Sequence, residues 1–390
     1  MIEAERFIKS ALSKGMDTWS GVPCSFLTPF INYVIQDQNL HYYGATSEGE
    51  AVGIATGSAL GGTRSVAICQ NSGLGNMVNP LTSLNYPFRI PVLLIITHRG
   101  HPSLKDEPQH ELMGQITGKL LDTMGIPWAS FPKKEDHIEE ALHTADLAMK
   151  KTELPYAFIM EKGSVQDFNL KEKSSVPEIK GNLEGDFILP QEQRPTRMEV
   201  LELLQVFGLE NQAATIATTG KTGRELFQLG HHPNQLYLVG SMGCASAVGL
   251  GVHETVNRKK PTPFNVPVNV IDGDGAALMK LGAFATIGRY QPKKLRHFLL
   301  DNESHDSTGG QATHAAYTDF ATIAHSCRYQ NCWRTDRLND LQEICKKMEN
   351  LDGPHFIHVK IQPGSTPNLG RPTLKPFEVK EQFSHWLNKK

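Results

Sequence analysis

The same order of features occurs twice along this chain of 390 residues, and the second copy follows the first by about 200 residues. In each copy an apolar strand runs into a glycine-rich turn: residues 66–68 lead to Gly73, and residues 268–271 lead to Gly275. Two further apolar segments recur at the same interval, 92–96 with 297–300 and 155–160 with 354–359. Two copies of so long a unit indicate two similar domains, whereas a solenoid requires more copies of a shorter unit.

The repeated strands are β-branched or almost continuously apolar, and stretches with a helical pattern separate them. Strands that are buried on both faces of a parallel sheet have this composition. The chain is therefore predicted to be an α/β protein with two similar doubly wound parallel-sheet domains, residues 1–170 and 196–390. Residues 171–195 are polar, contain proline and glycine and lack periodicity, so they are predicted to form an exposed linker.

Composition excludes several classes of function. Lysine and arginine number 39 against 41 aspartates and glutamates, so a net charge of −2 leaves no broad basic face for nucleic acid. No apolar run reaches the roughly 18 residues of a membrane span, and residues 1–10 lack the apolar core of a signal peptide. Six cysteines are too few for a disulfide scaffold in a chain of this length. We therefore expect a cytoplasmic protein without nucleic-acid or membrane partners.

The most informative residues follow two strands of the second copy. Asp274 stands between two glycines at the start of a predicted helix, residues 276–287, where free backbone N–H groups attract anions. Asn302 comes 28 residues later, at the end of the next strand, and a main-chain carbonyl two residues on adds another hard oxygen donor. Ligands of open parallel sheets bind beyond the carboxyl ends of the strands. The pattern therefore predicts a site for a divalent metal and a diphosphate.

This combination resembles the fingerprint of thiamin diphosphate-dependent enzymes, in which a Gly-Asp-Gly turn precedes a strand-end Asn-Asn pair. The chain departs from that fingerprint at Asp301, which stands where the first Asn is usual. The resemblance implies thiamin diphosphate and Mg²⁺ as cofactors, with Asp274, Asn302 and the carbonyl of Ser304 as metal ligands. It implies further cofactor contacts from Gly240, Met242, Gly273, Gly275 and Ala276.

Within that set, Met242 matches the side chain that bends the cofactor in this family. An ordinary methionine of the hydrophobic core is the alternative for Met242, because methionine readily fills irregular gaps between other side chains. The sequence alone leaves both roles open.

A glutamate at the start of a small-residue helix extends the resemblance to the first copy. Enzymes of this family hold N1′ of the aminopyrimidine with such a glutamate, and the spacing Glu-x-x-Ala-x-x-x-Ala-x-Gly selects Glu48. Glu50 is the other candidate for this role. Alternatively, both glutamates are solvated residues at the start of a helix, where the helix dipole favours negative charge. The implied role of Glu48 is general acid–base catalysis routed through the cofactor, whose 4′-nitrogen removes the thiazolium C2 proton.

The chain lacks the third domain of most thiamin decarboxylases, and this compact form is similar to the phosphonopyruvate and sulfopyruvate decarboxylases. The most specific segments are Asp-Glu-Pro-Gln-His at 106–110 and His-Asp-Ser-Thr-Gly-Gly-Gln at 305–311, which favour the phosphonate enzymes. The resemblance implies decarboxylation of 3-phosphonopyruvate to phosphonoacetaldehyde and CO₂ in phosphonate biosynthesis. It also implies a homo-oligomer whose active sites lie at the subunit interface.

A small 2-oxo acid with an anionic tail needs cations and proton donors near the cofactor. Lys221 and Arg224 follow a strand at a glycine turn, where an ammonium and a guanidinium suit a phosphonate. His110 and His305 are the candidates for proton transfer to the carbanion. The remaining candidate substrate contacts are Ser25 and Lys105. Alternatively, each of these side chains is an ordinary surface residue or supports the residues of the site without touching the substrate.

Four other functions stay open. A sulfopyruvate decarboxylase differs in the charge of the substrate tail, and an acetolactate-type carboligase needs a second acceptor pocket. A dinucleotide-binding dehydrogenase rests on Gly73-Leu74-Gly75, which lacks a third glycine and the acidic residue about 20 positions on. A non-catalytic binding subunit has no physical need to keep Glu48, Asp274 and Asn302 together.

Overall fold

A computed structural model describes residues 1–170, 181–259 and 265–389. The chain divides into two compact units, Met1–Val176 and Pro177–Lys390. Each unit contains one large parallel sheet, as the repeated pattern of the sequence predicts.

Within residues 1–170 the first unit forms a six-stranded sheet in which every pair of neighbours is parallel. The strands are β1 (Met16–Gly21), β2 (His41–Gly44), β3 (Arg64–Cys69), β4 (Leu93–Thr97), β5 (Trp128–Ser130) and β6 (Tyr156–Met160). Their order across the sheet is β2-β1-β3-β4-β6-β5. The central strands β3 and β4 are buried almost throughout, which explains their continuous apolar sequence.

Helices cover both faces of this sheet. They are α1 (Ala4–Ser13), α2 (Thr28–Gln36), α3 (Glu48–Leu60), α4 (Leu74–Pro80), α5 (Tyr86–Phe88), α6 (Glu111–Thr123) and α7 (Ile138–Thr152). On one face α1, α2 and α7 form a core in which the rings of Phe7 and Phe131 lie 4.7 Å apart. On the other face α3, α4 and α6 bury Val52, Leu74 and Leu121. The first unit is therefore doubly wound.

The described residues of the second unit form a seven-stranded parallel sheet and a two-stranded antiparallel ribbon. The strands are β7 (Asn182–Glu184), β8 (Ala214–Ala217), β9 (Gln235–Tyr237), β10 (Val268–Gly273), β11 (Leu295–Asp301), β12 (Ser304–His305), β13 (Gln311–Ala312), β14 (Asn331–Thr335) and β15 (His355–Lys360). The order of the large sheet is β7-β14-β15-β11-β10-β8-β9. Removing β7 leaves the strand order of the first unit, so the two copies share one topology.

The predicted helix at 276–287 is wrong as a single element. The structure has two helices there, separated at 280–282, because Lys280 leaves the helical conformation with φ −136° and ψ 42°. The helices of the second unit are α8 (Arg197–Glu210), α9 (Lys221–Gln228), α10 (Ala245–Lys259), α11 (Asp274–Met279), α12 (Ala283–Tyr290), α13 (Phe320–Ser326), α14 (Leu338–Glu349) and α15 (Pro376–Lys389). Among the helices of the described ranges, none has the length and hydropathy needed to cross a membrane.

The predicted linker, 171–195, contains regular structure in its second half. Residues 171–180 lie outside the described residues, but β7 pairs in parallel with β14 at the edge of the second sheet. The indole of Trp333 on β14 donates a hydrogen bond of 3.3 Å to Glu184 Oε2. Polar residues suit this edge strand because one side of it faces solvent. The second unit therefore begins within the segment that the sequence assigned to the linker.

Candidate active site

Most of the predicted residues of the second copy meet at the carboxyl edge of the sheet, around the ends of β10 and β11, which are neighbours. A cavity of about 230 Å³ opens there. Of the predicted residues, the cavity is lined by Lys221, Met242, Gly273, Asp274, Gly275, Ala276, Asn302, Ser304 and His305. A group of residues spread over 85 positions of the chain is thus brought to one place by parallel strands that end at the same edge.

Asp274 is a buried carboxyl group at the wall of this cavity. It is 3% exposed, and the hydroxyl of Thr313 donates a hydrogen bond to its Oδ2. Burial and the nearby carboxylate of Asp301 raise the pKa of Asp274 to about 7. A carboxylate with so little solvation is stabilised by a cation, so the environment of Asp274 fits a metal ligand.

Asn302 lies beside Asp274 in the same cavity wall and is 4% exposed. Its amide nitrogen donates a hydrogen bond of 2.6 Å to Asp306 Oδ2. Its amide oxygen accepts a hydrogen bond of 3.1 Å from the backbone N–H of Ser304. The amide oxygen and the carboxylate of Asp274 provide the hard donors that the sequence predicted for Mg²⁺.

The first turn of α11 lies close to two side chains. A Cβ atom on Gly275 would lie 2.7 Å from Cε1 of His305 and 3.5 Å from Cε of Met242. Any residue larger than glycine would therefore push the imidazole of His305 out of place. Met242 lines the cavity near this turn, and its role toward the cofactor stays a prediction.

Asp301, the departure from the family fingerprint, lies behind the cavity wall. Its Oδ2 accepts hydrogen bonds from His358 Nε2 at 2.7 Å and from Lys360 Nζ at 2.8 Å. Burial alone would raise the pKa of Asp301, but the hydrogen bonds and charges of these two partners hold it below its usual value. The negative charge at this position is therefore compensated within the chain, and Asn302 remains the residue that faces the cavity.

Glu48 is the first residue of α3 and is half-buried at the carboxyl edge of the first sheet. Its carboxylate packs directly against Gly73, where a Cβ atom would collide with it. Asn76 Nδ2 donates a hydrogen bond of 2.7 Å to Glu48 Oε2. Position 73 therefore requires glycine because the carboxylate of Glu48 lies against it. This explains the glycine without a dinucleotide, so the dehydrogenase alternative loses the motif on which it rested.

Glu50, the rival of Glu48, is 2% exposed and is used within its own helix. Its Oε2 accepts a hydrogen bond of 2.8 Å from the backbone N–H of Thr46 and another from the Thr46 hydroxyl. The Ser47 hydroxyl in turn accepts a hydrogen bond from the backbone N–H of Glu50. These bonds cap the start of α3, a structural role that leaves Glu48 as the accessible carboxylate.

The other predicted residues of the first unit are less closely grouped. Ser25 lines a cavity of about 710 Å³, together with Arg99 from the end of β4. The guanidinium of Arg99 is held by Asp106 through hydrogen bonds of 2.7 and 2.5 Å. His110 is buried, and its Nδ1 has no hydrogen-bond partner among the described residues. Lys105 is exposed on the segment between β4 and α6.

Two predicted residues of the second unit do not line the cavity. Arg224 donates hydrogen bonds to the carbonyl oxygens of Leu369 and Gly370, at 2.6 and 2.8 Å, and thereby holds the segment before α15. Gly240 lies just after β9 and outside the cavity lining, although Met242 of the same segment contributes to it. Arg224 therefore has a structural use that the glycine turn before it did not indicate.

Sequence reasoning missed the residues that support the predicted ones. Thr313 contacts Asp274, Asn76 contacts Glu48, and Asp306 contacts Asn302. Asp306 belongs to the segment 305–311, which resembles the phosphonate enzymes. Its support of Asn302 is visible only in the hydrogen bond between the two side chains. Arg197, which binds Asp306, is 109 residues away in the chain and carries no local signal.

Comparisons with known proteins agree with this geometry. Residues 2–121 match the N-terminal TPP binding domain of thiamine pyrophosphate enzymes, and residues 218–359 match their C-terminal TPP binding domain. The chain is 43% identical to a phosphonopyruvate decarboxylase of Streptomyces viridochromogenes, over 98% of this chain and 94% of the relative. It is 27% identical to a sulfopyruvate decarboxylase of Methanosarcina acetivorans, over 99% and 98% of the two chains.

Among solved structures, benzoylformate decarboxylase from Polynucleobacter necessarius has the same fold. The TM-score is 0.72 at 12% identity, with 94% of this chain and 100% of the other covered. The fold alone does not distinguish families of these enzymes, but the 43% identity over nearly the whole chain does. The chain belongs to the phosphonopyruvate decarboxylase family of thiamine pyrophosphate enzymes.

Proposed function

We propose that this protein decarboxylates 3-phosphonopyruvate to phosphonoacetaldehyde and CO₂, using thiamin diphosphate and Mg²⁺, in phosphonate biosynthesis. The observation that carries the proposal is the cavity that joins Asp274, Asn302 and the glycine turn, in a chain 43% identical to a phosphonopyruvate decarboxylase. Decarboxylation places the enzyme among the carbon–carbon lyases.

Asp274, Asn302 and the carbonyl oxygen of Ser304 are the residues that would hold Mg²⁺. The buried carboxyl of Asp274, with its pKa raised to about 7, gains a counterion there, and the backbone of the glycine turn faces the same cavity. Bound thiamin diphosphate supplies an electron sink for the electron pair left when CO₂ departs. Met242 and His305 flank the turn and would exclude water from it.

Glu48 would hold a proton at N1′ of the aminopyrimidine. Its carboxylate is accessible, and Gly73 and Asn76 fix its position from two sides. A carboxylate at this atom exchanges a proton with the ring, which is general acid–base catalysis. The capping role of Glu50 leaves that residue unavailable for the same task.

Lys221 is the best-placed residue for the anionic tail of the substrate. It is half-buried at the start of α9 and lines the cavity beside His305. No acidic side chain pairs with its ammonium within the described ranges.

His305 and His110 are the proposed proton donors, and Ser25 is a proposed contact in the first unit. Lys105 and Arg224 stay predictions, and the contacts of Arg224 favour a structural role.

The proposal includes a homo-oligomer whose active sites lie between copies. Large apolar side chains are exposed on the second unit, among them Val239 at 50%, Met279 at 59% and Tyr317 at 91%. Met279 ends α11, which begins at Asp274, so a second copy seated there would reach the site.

Cytoplasmic residence also belongs to the proposal, and the six free cysteines fit a reducing compartment.

Sulfopyruvate is the second candidate substrate, because a sulfopyruvate decarboxylase aligns with nearly the whole chain at 27% identity. A sulfonate carries one negative charge where a phosphonate carries up to two. An unpaired cation such as Lys221 favours the more highly charged tail, as does the higher identity to the phosphonate enzyme.

The function is tested by following phosphonopyruvate by ³¹P NMR with thiamin diphosphate and Mg²⁺ present. We expect phosphonoacetaldehyde from the unmodified protein and turnover lower by about 100-fold or more in Glu48→Gln, because an amide cannot exchange the proton. Cofactor binding should persist in that variant. The matched variant Glu50→Gln should keep turnover and lose thermal stability. Full turnover in Glu48→Gln would contradict the assigned role, and no product from the unmodified protein would refute the function.

A further inference from the structure

Three hydrogen-bond donors converge on one carboxylate oxygen beside the cavity. Asp306 Oδ2 accepts from Asn302 Nδ2 at 2.6 Å, from Arg197 Nη2 at 2.5 Å and from the backbone N–H of Gly364 at 3.1 Å. Each donor comes from a different part of the second unit. Asp306 therefore links the predicted metal ligand Asn302 to the body of the fold.

The ion pair of Arg197 and Asp306 is buried and anchored. The side chains are 6% and 10% exposed, so solvent screens the pair little. Arg197 Nη1 also donates to the carbonyl of Gly364 at 3.1 Å and lies 3.5 Å from Glu225 Oε1. Glu225 in turn accepts a hydrogen bond of 2.9 Å from the backbone N–H of Thr366. The guanidinium is therefore fixed from three sides and cannot follow a displaced carboxylate.

This arrangement determines which way the amide of Asn302 points. A carboxylate oxygen accepts hydrogen bonds and donates none, so only the NH₂ end of the amide can face Asp306. The oxygen then faces the backbone N–H of Ser304, which donates to it at 3.1 Å. A reversed amide would place oxygen against oxygen at Asp306 and NH₂ against N–H at Ser304. The observed orientation leaves Oδ1 as the donor atom available to a metal.

We propose that Arg197 and Asp306 form a clamp that positions Asn302 as a ligand of Mg²⁺. The inference rests on the proposed function, since that function makes Asn302 a ligand. Arg197 and Asp306 also line the cavity, and the role proposed for them is a positioning role, because they act on the metal through Asn302. Groups that orient metal ligands typically contribute 10- to 100-fold to metal affinity.

The test is the affinity for Mn²⁺, used as a probe for Mg²⁺ and measured by electron paramagnetic resonance with saturating thiamin diphosphate. Asp306→Ala removes the acceptor and should weaken Mn²⁺ binding by about 10- to 100-fold. Asp306→Asn keeps an oxygen that can accept from Asn302, so a smaller loss, roughly several-fold, is expected. In both variants kcat should recover at high metal concentration, a split that general destabilisation does not produce.

Asp319→Ala is the matched control. Asp319 also pairs with an arginine, Arg334 at 2.6 Å, and caps α13 through the backbone N–H of Thr322. It does not line the cavity. This variant should lower the melting temperature and leave the affinity for Mn²⁺ unchanged, which separates loss of stability from loss of ligand positioning.

The outcomes distinguish the clamp from the function on which it rests. Failure of the unmodified protein to bind Mn²⁺ with thiamin diphosphate would overturn the proposed function and the clamp with it. Normal binding by the unmodified protein, with Asp306→Ala within twofold of it, would overturn the clamp alone. Should Asp306→Ala not fold, Asp306→Asn decides: weaker binding supports the clamp, and equal binding overturns it.

Discussion

Gly73 and Glu48 lie so close together that any side chain at position 73 would meet the carboxylate. The backbone of Gly73, with φ −80° and ψ −10°, is one that alanine readily adopts. Gly73→Ala should therefore preserve the fold but displace the carboxylate of Glu48. We expect kcat to fall by about 100-fold, the effect of a displacement near 1 Å at a reacting group. Steady-state kinetics with saturating cofactors measures the change.

Gly75→Ala is the control for this prediction. A Cβ atom at Gly75 would have no neighbour within 4 Å, and the residue lies in α4, where alanine is the better helix former. Its kcat should match that of the unmodified protein, with equal or higher thermal stability. Equal activity of both variants would show that the position of Glu48 against Gly73 does not matter to the reaction.

The sequence allowed prediction of the residues that end strands, and not of those that support them. Asp274 and Asn302 were predictable because parallel strands place their carboxyl ends at one edge, wherever the rest of the chain goes. Arg197, the first residue of α8, reaches the site through its ion pair with Asp306, which follows β12. Arg224 shows the opposite failure, since a cation after a glycine turn suggested a ligand contact and the structure gives it two carbonyl partners.

At the scale of helices and strands, the sequence predictions fail at the break between α11 and α12 and at the edge strand β7. Residues 276–287 are apolar enough to suggest one helix, but they include Gly282, a poor helix former, and the chain leaves the helix at Lys280 between α11 and α12. The polar strand β7 exists because β14 offers it an open edge. The strand β7 does not follow from periodicity, because it depends on a partner strand that is distant in sequence.

His355, the first residue of β15, makes the stability of the fold depend on pH. Burial, with a further contribution from the charge of Arg296, lowers the pKa of His355 to about 4. Between pH 4 and 6.5 the unfolded chain binds a proton that the folded chain excludes, so stability is lost as the pH falls through this range. The loss from this residue amounts to about 3 kcal/mol. His355→Phe should remove it, as measured by urea unfolding at pH 4.5 and 7.

The phenylalanine ring preserves the packing on Trp333, and Asn331 keeps its hydrogen bond of 3.0 Å to the carbonyl of Asp352. Substitution of the exposed His143 by Asn provides the control, for which the pH dependence should equal that of the unmodified protein. A difference between pH 4.5 and 7 that is the same in His355→Phe as in the unmodified protein would contradict the role of His355.

At the scale of the molecule, the repeat in the sequence corresponds to a repeat in topology. Strand order β2-β1-β3-β4-β6-β5 in the first unit recurs as β9-β8-β10-β11-β15-β14 in the second. The sequence predicted two doubly wound sheets, since apolar strands alternating with helices leave few other arrangements. It did not predict the strand order, which depends on how crossovers pack. The two copies then diverged at the strand ends, where one presents Glu48 and the other Asp274 and Asn302.

The most direct test of the proposed activity is CO₂ release from phosphonopyruvate and from sulfopyruvate, each with and without thiamin diphosphate and Mg²⁺. We predict turnover that requires both cofactors, with kcat/KM for the phosphonate at least about tenfold higher, because one well-placed charge interaction of about 1.4 kcal/mol suffices for that ratio. A higher kcat/KM for the sulfonate, or turnover that persists without thiamin diphosphate, would contradict the proposed function.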